Sequence, residues 1–169
     1  ELSLTVSPVW VMAELSSYQI EAASSLAPTI GVWTTFTPDH LSRHKTVENY
    51  YNIKASLLNR SQAIIINGDD PTLRSKSSEH SSPRHHWTSI KGKSALNPIT
   101  PDTYVEEGWV IHKGEPVVET KALRMVGEHN QQNLLVAVAA AKLAGIDSSA
   151  IAQGIASFPG VSHRLEHIC

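Results

Sequence analysis

Lys54 sits where an apolar side chain is expected. Around it Val47, Tyr50, Tyr51, Leu57 and Leu58 recur at spacings 0, 3, 4, 10 and 11, one face of a helix, and Lys54 fills the gap at 7. A lysine in such a stripe can pack its stem against the core and send its ammonium to water. The alternative is an amine held inside by a partner or by chemical modification, because a bare buried ammonium is costly. Two further groups stand at the ends of β-like runs. Glu14 follows Pro-Val-Trp-Val-Met-Ala at residues 8–13, and Asp39-His40 follow Thr-Ile-Gly-Val-Trp-Thr-Thr-Phe at residues 29–36. In an open α/β sheet, ligands collect outside the carboxyl ends of the strands. A carboxylate and an imidazole there suit a divalent ion or the orientation of phosphates. The plainer roles fit too, with Asp39 as a helix cap and His40 as a hydrogen-bonded core histidine.

A third group is Gly127-Glu-His-Asn-Gln-Gln-Asn133, in which Asn130 and Asn133 share one face of a first helical turn. Amide side chains there can read a purine edge, or Asn130 can simply cap the helix. His163-Arg164 offers a permanent cation suited to phosphate. Gly92-Lys93-Ser94 imitates the end of a phosphate-binding loop, but that motif needs a glycine where Trp87 stands. Cys169, beside His167, has no partners at zinc spacing.

These residues need elements to hold them. Thr46 can cap a helix over 47–59, and residues 63–66 read as a buried strand. Asn67-Gly-Asp-Asp70 is a turn, with Asp70-Pro71 starting a short helix. The polar stretch 75–86 reads as a surface loop with solvated His80, His85 and His86. From 87 to 126, short β-like pieces separated by Gly and Pro suggest antiparallel hairpins, for example 104–106 and 109–112 around Glu107-Gly108. Helices follow over 130–144, closed by Gly145, and from an Asp147 cap to about 158, before a boundary at Pro159-Gly160. The pattern predicts an α/β fold: a mostly parallel sheet flanked by helices, with a small antiparallel β insertion.

Composition bounds the rest. The 169 residues are 41% hydrophobic, enough for one core, and a formal charge of −2 argues against non-specific nucleic-acid or acidic-membrane binding. The longest apolar run, 134–141, is far short of the 18 or so residues a membrane span needs. A single cysteine gives no intrachain disulfide and favours a reducing, cytoplasmic setting. The chain starts at Glu1 and stops in a strand-like run at Cys169, so a piece of a longer protein is expected.

Read together, six stretches resemble the Mur ligase family. They are Glu14-Leu-Ser-Ser-Tyr-Gln-Ile-Glu21, Thr37-Pro-Asp-His-Leu-Ser-Arg-His44, Asn49-Tyr-Tyr-Asn-Ile-Lys54, Asn67-Gly-Asp-Asp70, Gly127 to Asn133, and Phe158-Pro-Gly-Val-Ser-His-Arg-Leu-Glu166. They occur in the family's order across nearly the whole chain. The Ser-Ser-Tyr-Gln-Ile-Glu form is similar to the D-glutamate-adding branch, and Trp33-Thr-Thr-Phe-Thr-Pro-Asp-His resembles cyanobacterial members. The resemblance implies an ATP- and Mg²⁺-dependent amide ligase of peptidoglycan synthesis, a cytoplasmic monomer acting on UDP-N-acetylmuramoyl-L-alanine and D-glutamate through an acyl phosphate. It implies that residues 1–160 are the central ATP-binding domain and that 161–169 begin the C-terminal ligase domain. Glu14 and His40 match magnesium-site positions, with His40 and Lys54 in the catalytic centre. Lys54 matches a lysine that takes up CO₂ as a carbamate, becoming a carboxylate-like magnesium ligand. Asn130 and Asn133 match positions near adenine, Arg164 a nucleotide-contacting arginine, and His163 lies beside it. The family's Gly-rich phosphate loop has no counterpart in this sequence, so the chain alone is expected not to catalyse ligation. Two alternatives carry other expectations: another amide ligase of the superfamily, including one that extends folate with glutamate, or a non-catalytic nucleotide-binding remnant.

Overall fold

In the computed structural model, residues 10–78 and 84–160 are described. A single six-stranded sheet runs through them in sequence order: β1 (Ile30–Trp33), β2 (Ala63–Asn67), β3 (His85–Ser89), β4 (Thr103–Glu106), β5 (Trp109–His112) and β6 (Glu115–Glu119). β1 to β4 pair in parallel, with Gly31 opposite Ile64, Ile65 opposite His86 and Thr88 opposite Thr103. β4, β5 and β6 pair antiparallel, so the expected antiparallel part continues the same sheet. Their two-residue turns, Glu107-Gly108 and Lys113-Gly114, have both residues at positive φ. That geometry matches the twist of the flanking strands.

β2 reads as an unbroken apolar run because both of its faces are covered. Ile64 and Ile66 face a cluster with Trp33, Phe36, Leu58, Leu73 and Trp87, under α3 (Val47–Arg60) and α4 (Pro71–Ser78). Ile65 faces the other way, onto Val136 and Ala139 of α5 (Glu128–Leu143). A third cluster joins Val110, Val117 and Val118 of the antiparallel half to Leu134, Leu135 and Val138 of α5 and Ile151 of α6 (Ser148–Ser157). Two short helices, α1 (Ser17–Ala22) and α2 (Leu41–His44), complete the described architecture.

Several expectations hold closely. Thr46 caps α3, its hydroxyl accepting from Asn49 N at 3.0 Å, and Asp147 caps α6, accepting from Ala150 N at 2.9 Å. Two others need correction. Residues 10–13 form no strand, and Trp10, Val11 and Met12 are exposed. A strand exists only through its neighbour, and among the described residues β1 pairs with β2 alone; residues 8 and 9 of that run lie outside the described residues. The polar loop over 75–86 is shorter than expected. α4 continues to Ser78 because Asp70 accepts from both Thr72 N and Leu73 N, and Leu73 is fully buried. His85 and His86 belong to β3, drawn in by parallel pairing beside buried Trp87. His80 lies outside the described residues, as do His163, Arg164 and Cys169.

Candidate functional site

Three of the residues singled out from sequence meet. Glu14, His40 and Lys54 line one pocket of about 360 Å³ together with Leu15, Ser16, Ser17, Gln19 and Tyr50. Each comes from a different segment: Glu14 from before β1, His40 and Lys54 from the loop and helix that follow it. Glu14 lies just before α1, which is only six residues long and is stabilised by a capping box: Ser16 Oγ accepts from Gln19 N at 3.3 Å, and Gln19 Oε1 accepts from Ser16 N at 2.8 Å. His40 precedes α2 in a left-handed conformation (φ 53°, ψ 31°), and its side chain makes no cap bond to that helix. Asp39 Oδ1 accepts from His40 N at 2.6 Å, which braces this turn.

Lys54 is on α3, one turn beyond Tyr50 on the same face. Its Nζ is 5.5 Å from the centroid of the Tyr50 ring. Burial holds the amine below its ordinary pKa of 10.5, and the charge of Glu14 opposes that shift. A lysine so placed has more of the neutral, nucleophilic form than a solvated one. The Tyr50 hydroxyl is pushed above its usual 10.0, first by burial and then by Asp39. Tyr50 reads in the sequence only as part of the apolar stripe; its four-residue offset from Lys54 was the available signal.

Around the pocket, rings pack in a chain. Tyr18 stands edge-on to His40 at 5.4 Å, His44 lies against Tyr18 at 5.6 Å and Tyr50 at 5.3 Å, and Phe36 lies 5.5 Å from Tyr50. His44 is buried and meets Ser17, Oγ to Nε2, at 3.0 Å. This contact spans 27 residues, and no local pattern could have revealed it.

Asn130 and Asn133 do not join this pocket. The Asn130 side chain is buried and donates back to Val126 O at 2.8 Å, whereas Asn133 is exposed. Ile30, at the start of β1, and Ala140 and Leu143, near the end of α5, pack against the same cluster around Ile65. A larger groove of about 1060 Å³ lies between α4 and residues 91–100. Three of its charged groups are already engaged: Asp69 accepts from Ser89 Oγ and Ile90 N, Arg74 donates to Ala95 O and Asn97 O, and Asp102 accepts from Trp87 N. Chemistry, not size, selects the smaller pocket.

Among the described residues, no group of three His, Cys, Asp or Glu is arranged to hold a metal. Glu14 and His40 thus offer two donors, and Lys54 as an ammonium presents the wrong charge to a cation. Converted to a carbamate, it would present oxygen.

An open, mostly parallel sheet with a charged pocket outside its strand ends is the architecture of an α/β ligand-binding domain. The chain belongs to the Mur ligase family, whose middle domain matches residues 7–141. It is 61% identical to a UDP-N-acetylmuramoylalanine--D-glutamate ligase of Nostoc punctiforme, over 95% of this chain and 33% of that protein. A Synechococcus elongatus protein of the same name is 58% identical over 94% of this chain and 35% of its own length. The chain thus spans about a third of the relatives it matches. Among solved structures it resembles a UDP-N-acetylmuramoyl-L-alanyl-D-glutamate--2,6-diaminopimelate ligase (TM-score 0.71, 24% identity, 92% of this chain and 34% of that one). It also resembles a pseudomurein peptide ligase of Methanothermus fervidus (TM-score 0.69, 19% identity, 90% and 38%). Those two likenesses concern the fold. No helix among the described residues is long and apolar enough to cross a membrane.

Proposed function

We propose that this chain is the central ATP-handling part of a cytoplasmic, monomeric ligase that joins D-glutamate to UDP-N-acetylmuramoyl-L-alanine in peptidoglycan synthesis. Residues 1–160 form that domain, and 161–169 begin the next. The observation that carries the reading is the meeting of Glu14, His40 and Lys54 in one pocket of a Mur ligase middle domain. The names of its relatives supply the substrates.

Mg²⁺ fits the pocket if Lys54 is carbamylated: Glu14 and the carbamate would give oxygen donors, His40 a nitrogen, and water the remainder, as this ion prefers. When bound, the ion would neutralise phosphate charge as the γ-phosphoryl group passes to the substrate carboxylate. The chain's own work is electrostatic and positional. Burial keeps a fraction of Lys54 neutral, and that lone pair attacks the carbon of CO₂ while the displaced N–H proton leaves to solvent. The resulting anion suits a cation where the ammonium opposes one. His40 and Glu14 hold their orientation from the turn and the capping box beside them. By the family resemblance, Asn130 and Asn133 at the start of α5 correspond to positions near the adenine, and Arg164, with His163 beside it in sequence, to a nucleotide-contacting arginine.

The test is ¹³C NMR of the protein in ¹³C-bicarbonate. A single carbamate carbon, lost in Lys54→Ala and kept in Lys91→Ala, is the expected result. No labelled carbon at high bicarbonate, with the protein folded, would sink the carbamate and its cation site.

A further inference from the structure

Ser17 in the pocket lining and His44 behind it are buried polar side chains, each 2% exposed, and they bond to each other at 3.0 Å. They come from different helices. Ser17 is on α1, within the Glu14–Gln19 stretch that forms one wall. His44 ends α2, four residues beyond His40, and its ring continues to Tyr50 on α3 at 5.3 Å and 32°. Its carbonyl accepts from Asn49 Nδ2 at 2.9 Å, so its backbone is fixed to α3. His44 therefore touches every segment that brings Glu14, His40 and Lys54 together, yet does not itself line the pocket.

α1 needs such a tie. Six residues are too few for a helix to hold itself, and residues 10–14 before it are exposed. The Tyr18 ring of α1 also packs on His40, His44 and Arg43, and the ion pair from Arg43 to Glu21 at 2.7 Å is about half exposed on both sides. Exposed ion pairs of this kind hold little. A buried hydrogen bond holds more, since breaking it leaves a desolvated partner.

We propose that His44 is a positioning residue for the pocket: through Ser17 it holds the α1 wall, and so fixes where Glu14 stands relative to His40 and Lys54. This rests on the pocket being a divalent-cation site. Partners that orient metal ligands typically contribute 10- to 100-fold in affinity.

The experiment uses Mn²⁺ as the probe, with free ion read by electron paramagnetic resonance on the intact protein in bicarbonate buffer, beside thermal melts. Ser17→Ala and His44→Phe are expected to weaken Mn²⁺ binding roughly 10-fold at a temperature where both are folded. His44→Gln, whose amide can still reach Ser17, should recover most of the loss. A purely structural role would lower the melting temperature and leave the affinity unmoved. If His44→Phe does not fold, Ser17→Ala against Ser17→Thr decides, since threonine keeps the hydroxyl. Unchanged affinity in these variants, with binding abolished by Glu14→Gln, overturns the positioning role and leaves the cation site standing. Binding that is equally weak in the wild type and in Glu14→Gln overturns the cation site, and the positioning role with it.

Discussion

Burial moves Lys54 and His112 in the same direction, toward loss of a proton, with different consequences. For Lys54 the folded pKa lies below 10.5, so between the two values the unfolded chain binds more protons and stability rises with pH. Lys54→Met, which keeps the apolar stem, is expected to flatten that rise and to be no less stable than the wild type at pH 7; urea titrations from pH 7 to 10 in CO₂-free buffer check it. His112 is buried and its ring Nδ1 meets Thr103 Oγ1 at 2.8 Å. Its pKa is lowered by desolvation first and then by Lys113, with Asp102 opposing. Stability should accordingly fall as pH drops below the ordinary histidine value of 6.5 toward the lower folded value. His112→Gln should make urea midpoints between pH 7 and 5 less steep. At this scale the sequence was informative where a residue broke a pattern: Lys54 interrupts a helical stripe. Ser17 and His44 break none, and their bond depends on three segments converging.

At the scale of elements, legibility followed local chemistry. Thr46 and Asp147 announced the starts of α3 and α6 because a cap is satisfied within three residues. Thr46→Ala is expected to cost about 1 kcal/mol, read as a lowered urea midpoint with an unchanged slope. The run 8–13 has strand composition, but residues 10–13 have no neighbouring strand to pair with among the described residues. Composition reports preference, whereas a strand also needs a partner. The serines of α4 point the other way: their weak helix propensity is overridden by the Asp70 cap and the buried Leu73.

Over the whole molecule, alternating strands and helices foretold a parallel sheet, while the joining of the hairpins to it was not legible. That depends on the pairing of β3 with β4, with Thr88 opposite Thr103 across 15 residues of chain. α5 unifies the two halves, and Leu135 is fully buried in the cluster it forms with the antiparallel strands. Leu135→Ala should therefore cost roughly 2–5 kcal/mol by urea unfolding. The 169-residue chain spans about a third of its relatives, and it is expected to release no phosphate above background with Mg-ATP and both proposed substrates.

Every residue lining the pocket lies between Glu14 and Lys54, while the buried residues of the cluster under α5 and α6 all lie beyond 109, with Ile90 and Val105 packed against them. The two are therefore closed by separate stretches of chain, and α1, only six residues long, packs on α2 and α3. Under native conditions the amide hydrogens of α1 should exchange with deuterium well before those of β2 and α5. The pocket wall can breathe while the sheet beneath it stays shut.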